Sequence, residues 1–130
     1  MSREEVRKEL LKAALERRKV TYGYLMNKFG FTRGGRAEES VVSILGEIDR
    51  DEERKGGPGF AAIVVRKDTG FPGGGFFCWK DVPEGIRRPN EKSQNPKLSQ
   101  DEKDYVMSQQ ERIWRYYQGG NRSVERQQRL

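Results

Sequence analysis

The chain has 130 residues, 35% of them charged and 33% hydrophobic, with a formal net charge of +6 at pH 7. That is the length of one domain with a modest core, and a 10% aromatic content is enough to build it. A single cysteine, Cys78, and no histidine exclude an internal disulfide, a Ser-His-Asp or Cys-His nucleophile and a Cys/His zinc site.

The start of the chain is charged and has no apolar h-region, so no signal peptide is expected. No apolar run reaches membrane-spanning length. A lone cysteine suits a reducing compartment, so the expected address is the cytoplasm, with no membrane partner.

Ser2 with Glu5 fits a capping box that opens a first helix. Val6, Leu10, Leu11, Ala14 and Leu15 form its apolar stripe. The triplet Arg17, Arg18 and Lys19 ends it, suited either to the helix dipole or to phosphate contact. Residues 20–22 are expected to pair briefly as a strand.

Thr21 can cap a second helix, on which Leu25 and Phe29 share a face and which Gly30 is placed to end. Thr32, Arg33, Gly34, Gly35 and Arg36 make a cationic turn. A third helix follows over residues 37–55, with Val41, Val42, Ile44, Leu45 and Ile48 in periodic array. Helix, short Gly-containing turn, helix is the pattern of helix-turn-helix modules. The third helix carries Glu38, Glu39, Glu47, Asp49, Asp51, Glu52 and Glu53 against Arg50, Arg54 and Lys55, seven acids to three bases, a net of −4. Phosphates would repel such a face, so the later acids are expected to point away from DNA or towards a protein.

Gly56, Gly57, Pro58 and Gly59 break the helix. Residues 60–65, FAAIVV, read as a buried strand and residues 75–79, GFFCW, as its returning partner. The basic, Gly/Pro-rich loop between them, opened by Arg66 and Lys67, has the place of a wing. Gly73, Gly74 and Gly75 are not a P-loop, since no Gly-Lys-Ser/Thr follows. Residues 81–98 read as an extended connector. Ser99 with Glu102 is another capping box, opening a helix with Val106, Gln110, Ile113 and Tyr117 on one face. Gly119 and Gly120 are expected to stop that helix, leaving a polar tail. The fold expected is α+β and winged-helix-like: three helices and a β-hairpin wing over residues 1–80, a connector over 81–98, a C-terminal amphipathic helix over 99–118 and a flexible tail over 119–130.

The run VTYGYLMNKFG at residues 20–30, followed by Arg36 and Ala37, resembles the helix-turn-helix half of the O6-alkylguanine-DNA alkyltransferases and alkyltransferase-like proteins. Their pattern is V-T-Y-G-x-L-x-x-x-G and then an Ala-Arg-Ala segment. The resemblance implies a DNA-binding scaffold, with Tyr22 at the family's phosphate-side tyrosine and Arg36 at its base-stack-filling arginine. The family's Pro-Cys-His-Arg motif is absent, and Cys78 lies in FFCWKD, so alkyl transfer is not expected.

The function these readings favour is non-catalytic binding of nucleic acid, duplex DNA above all, through its phosphates. The residues expected to carry it are Arg17, Arg18, Lys19, Tyr22, Arg33, Gly34, Gly35, Arg36, Arg66 and Lys67. No cofactor is implied. The alternative is a protein-interaction module, such as a phage or mobile-element accessory factor, presenting Glu47, Asp51 and Glu52 to a basic partner. A metal-dependent nuclease, with acids of the third helix holding Mg²⁺ and a lysine such as Lys67 helping, is a third reading, though no acid pair is fixed by spacing. Asp68, Thr69 and Gly70 match the active-site triplet of aspartic proteases, but cations precede them in a helical chain, and Asp, Thr and Gly are common in turns. The helix carrying Tyr105, Trp114, Tyr116 and Tyr117 can dock on the domain or form a homodimer seam.

Overall fold

The computed structural model describes residues 3–29, 35–78, 82–89 and 97–129, and within these the side chains of 36–42 and 121–129 lie outside the description. The described chain is α+β and mostly helical. Four helices, α1 (Arg3–Leu15), α2 (Tyr22–Lys28), α3 (Gly35–Arg54) and α4 (Gln100–Arg129), surround a two-stranded sheet of β1 (Val20–Thr21) and β2 (Val64–Val65).

The apolar periodicities set this packing. Val6, Leu10, Ala13 and Ala14 of α1 are buried with Leu25 and Met26 of α2 and Leu45 and Ile48 of α3. Leu15, expected in the α1 stripe, is instead 39% exposed, and Ala13 takes the inward place. On α4 the expected face is the buried one: Val106, Gln110, Ile113 and Tyr117. It docks on α1 and on the 3-10 turn Ala61–Ile63. Gln110 donates to the Ala62 carbonyl at 3.0 Å, which satisfies a buried amide. That face is occupied within the chain, while Met107 and Tyr116 of the same helix are exposed.

Local end signals act as expected where they are described. The Thr21 hydroxyl accepts from the Tyr24 backbone N–H at 3.0 Å and caps α2. Ser99 and Glu102 form both bonds of a capping box: Ser99 N–H to Glu102 at 2.8 Å, and Glu102 N–H to Ser99 Oγ at 3.1 Å. Ser2 and Gly30 lie outside the described residues. At the end of α3, Gly56 adopts φ +89°. Gly56 N–H then bonds Glu53 O and Gly57 N–H bonds Glu52 O, the two bonds of a Schellman cap.

The β elements differ from expectation. Val20 pairs with Val64 and Thr21 with Val65, in parallel, with α2 and α3 as the crossover. Only Val64–Val65 of the expected strand 60–65 is extended, because residues 61–63 turn as a 3-10 helix. The cause is Asp49: its carboxylate accepts the Phe60 N–H at 2.7 Å and the Ala61 N–H at 3.2 Å, capping the turn. The expected returning strand 75–79 is not formed. Gly74–Cys78 is a 3-10 helix, so the loop is not a β-hairpin wing. Pro72 and three glycines disfavour pairing. A strand would also send Phe76 and Phe77 to opposite faces; here their rings meet edge to face at 5.2 Å, and Phe77 is fully buried.

Helix α4 does not stop at Gly119 and Gly120 but continues to Arg129. A helical glycine costs about 1 kcal/mol relative to alanine, which lowers stability without forcing a break.

Gly59 has φ +76°, and a Cβ there would sit 2.6 Å from the Asp49 carboxylate carbon. Gly59→Ala should therefore lower stability by about 2 kcal/mol or more in urea unfolding, while Gly85→Ala, with nothing within 4 Å of the added carbon, should stay near wild type. Equal midpoints for the two variants would show that the Asp49 turn does not need its glycine.

Candidate nucleic-acid interface

The segment before β1 and the turn after β2 meet through the Lys19 side chain. β1 carries the Arg17, Arg18 and Lys19 segment in front of it, and β2 runs out into the turn at residues 66–71. That turn closes on itself: Arg66 N–H bonds Phe71 O at 2.9 Å and Gly70 N–H bonds Arg66 O at 2.8 Å. Lys19 reaches across it, its Nζ 3.5 Å from Gly70 O and 5.7 Å from the Phe71 ring centroid.

The residues expected to meet phosphate fall into separate roles. Arg17 sits at φ 55°, the left-handed position of the α1 cap, and is held there by Glu111 at 2.6 Å and the Trp114 ring at 5.1 Å. It serves the α1–α4 junction. Arg18 is exposed and pairs with Glu16, its neighbour two positions back, at 2.6 Å. Arg66 is bidentate with Asp68, at 3.0 and 2.8 Å. The Arg66 guanidinium holds the Asp68 carboxyl below its usual range, unlike a catalytic aspartate kept poised by a second acid. Lys67 is exposed and has no bonded partner among the described residues. Tyr22 is half-buried against the core at the start of α2. Gly35 begins α3. Arg33, Gly34 and the Arg36 side chain lie outside the described residues.

The acids of α3 are where the sequence count misleads. Asp49 is 1% exposed and Glu52 4%. Glu52 accepts from Arg7 at 3.1 Å and from the Tyr117 hydroxyl at 2.9 Å. Burial opposes its ionisation, but the hydrogen bonds from Arg7 and Tyr117 prevail and hold its carboxyl low. The Tyr117 phenol is pushed up, by burial first and then by the Glu52 charge. Asp51 is half-buried and meets Arg3 at 3.4 Å and Arg54 at 3.2 Å. Of the three residues expected to meet a basic partner, only Glu47 stands exposed. Glu52 faces the interior because its stripe, Leu45, Ile48, Asp49, Glu52, continues the apolar face at helical spacing. That continuation is the signal in the sequence for both buried acids.

Among the described residues, no group of three or more Asp, Glu, Cys or His is placed to hold a metal ion, so the nuclease reading gains no support. No helix among them is long and apolar enough to cross a membrane. Comparison with known protein families, curated proteins and solved structures finds no match.

Burial pushes the Asp49 carboxyl up to about 7, against the Phe60 and Ala61 N–H groups that pull it down. A carboxyl raised on folding stabilises the fold most when it is protonated. Its contribution is complete below about pH 4 and is lost as pH rises through about 7. Glu9, Glu52, Glu102 and Glu111 are shifted the other way, so their contribution is lost only as pH falls below about 4.5. With no histidine in the chain, the neutral window is left largely to Asp49. The melting temperature should therefore fall between about pH 5 and about pH 7.5. Asp49→Asn should be less stable but flatter across that range, since its amide cannot accept from both N–H groups. A wild-type profile already flat there would contradict the raised Asp49.

Proposed function

We propose that the chain is a non-catalytic nucleic-acid-binding protein that holds duplex DNA mainly by its phosphate backbone. In this reading α2 and α3 serve as a helix-turn-helix, and the turn at residues 66–71 takes the place a wing has in winged-helix proteins. The observation that carries it is the reach of Lys19 to the turn at residues 66–71, which sets it on the turn that carries the exposed Lys67. The resemblance of residues 20–37 to an alkyltransferase DNA-binding half points the same way.

The inward turn of Asp49 and Glu52 lessens the electrostatic objection, leaving five acids against three bases on the rest of the helix. The chain carries +6 overall, and two of the seven acids counted on its third helix are inside the protein. Cations on a turn add affinity without reading bases, so binding of this kind is insensitive to sequence and sensitive to salt.

Fluorescence anisotropy with a labelled duplex tests this. Wild-type affinity should fall steeply between about 50 and about 200 mM salt. Lys19→Ala/Lys67→Ala should bind more weakly, with the slope of log K against log salt reduced by about 2, one for each phosphate no longer neutralised. Arg33→Ala/Arg36→Ala should weaken binding in the same salt-dependent way. Absence of binding by the wild type at the lower salt would overturn the reading.

A further inference from the structure

Helix α4 is divided by charge along its length. Residues 100–111 carry Asp101, Glu102, Asp104 and Glu111 against Lys103, and residues 112–129 carry Arg112, Arg115, Arg122, Arg126 and Arg129 against Glu125. Four of these arginines follow one another at intervals of seven, four and three, so positions 115, 122, 126 and 129 share one face of the helix over about 21 Å. The opposite face is the one docked on the domain, through Val106, Gln110, Ile113 and Tyr117. Arg115 is exposed, with a 3.0 Å bond to Glu111.

The helix dipole explains only part of this pattern. It favours cations in the last turn, at positions 126 and 129, and fades before positions 122 and 115. Every cation from 112 to 129 is an arginine, the side chain whose fork of N–H donors matches phosphate oxygens two at a time. A membrane surface is a poor fit, because a helix lying in lipid needs an apolar face, and beyond Gln118 the one apolar side chain in the sequence of α4 is that of Val124. The arginine face also adjoins the Arg17–Lys19 segment. Glu111 bonds both Arg17, at 2.6 Å, and Arg115, and the Trp114 N–H donates to the Arg18 carbonyl at 3.2 Å. The residues leading to Lys19 thus lie against the start of the arginine row.

We propose that the face of α4 at positions 115, 122, 126 and 129 is a second phosphate-binding surface, which lies along the backbone of the same DNA duplex that the Lys19 and Lys67 turn holds. The inference rests on the duplex-binding reading and adds to it a contact from a different element. Phosphate contacts of this kind supply affinity and orientation without any choice of sequence.

Fluorescence anisotropy of the full chain with a labelled duplex tests it, with polyglutamate as a competing anion that has no phosphate. Arg122→Ala/Arg126→Ala/Arg129→Ala should bind the duplex about tenfold or more weaker at about 100 mM salt, with the slope of log K against log salt reduced by about 3. Arg122→Lys/Arg126→Lys/Arg129→Lys keeps the charges and should keep that slope. Both variants should melt with the wild type, since the docked face of α4 is untouched. An alanine variant with the wild-type affinity and slope would overturn the proposal and leave the Lys19 and Lys67 turn standing. A reduced slope in the alanine variant, with none in Lys19→Ala/Lys67→Ala, would support the arginine face and overturn the role of the turn. Polyglutamate that displaces the labelled duplex as readily as unlabelled duplex does would overturn the proposal in favour of an acidic protein partner. Absence of duplex binding by the wild type at about 50 mM salt would overturn both readings.

Discussion

Two carboxylates one turn apart on α3 set the arrangement of everything around them. Asp49 caps the chain as it enters the Ala61–Ile63 turn, and Glu52 joins Arg7 of α1 to Tyr117 of α4. A buried carboxylate is costly unless its lone pairs are filled, and here both are filled by fixed donors. The directionality of those bonds fixes what apolar packing alone would leave free. Leu45 and Ile48 would be satisfied by many rotations of α3 in an oily interior. The Asp49 and Glu52 bonds accept one.

This explains which parts of the fold are legible in the sequence. Signals that act within four residues can be read directly: the Thr21 cap, the Ser99–Glu102 box, the glycine stop after α3, and the inner face of α4 through Val106, Gln110, Ile113 and Tyr117. Signals that depend on a distant partner cannot. Residues 60–65 have the composition of a strand, yet a carboxylate eleven residues upstream converts their first half into a 3-10 turn. Residues 75–79 have the composition of its mate, yet β2 finds β1 instead. The acids of α3 have the composition of a surface, because charge usually means solvent. Only their spacing after Leu45 and Ile48 says otherwise.

The basic triplet after α1 shows the same division inside three residues. Arg17 occupies a left-handed position that glycine would take at no steric cost, and its side chain is held by Glu111 and Trp114. It ties α1 to α4, reinforced by the Trp114 N–H bond to the Arg18 carbonyl at 3.2 Å. Lys19 instead turns towards the loop after β2. Consecutive cations therefore do different work, the first in packing and the last at an exposed turn, and charge runs alone cannot distinguish them.

The same rotation of α3 has consequences on two sides of the helix. It takes two negative charges from the exterior, which leaves the outer field of a +6 chain more favourable to phosphates. It also aims Asp49 at the Phe60 and Ala61 N–H groups and Glu52 at Arg7 and Tyr117. A helix turned to expose Asp49 and Glu52 would lose the cap on residues 60 and 61 and the tie to Tyr117 together. The electrostatics of the surface and the packing of the interior are thus two results of one orientation, and that orientation is held by hydrogen bonds to two buried acids.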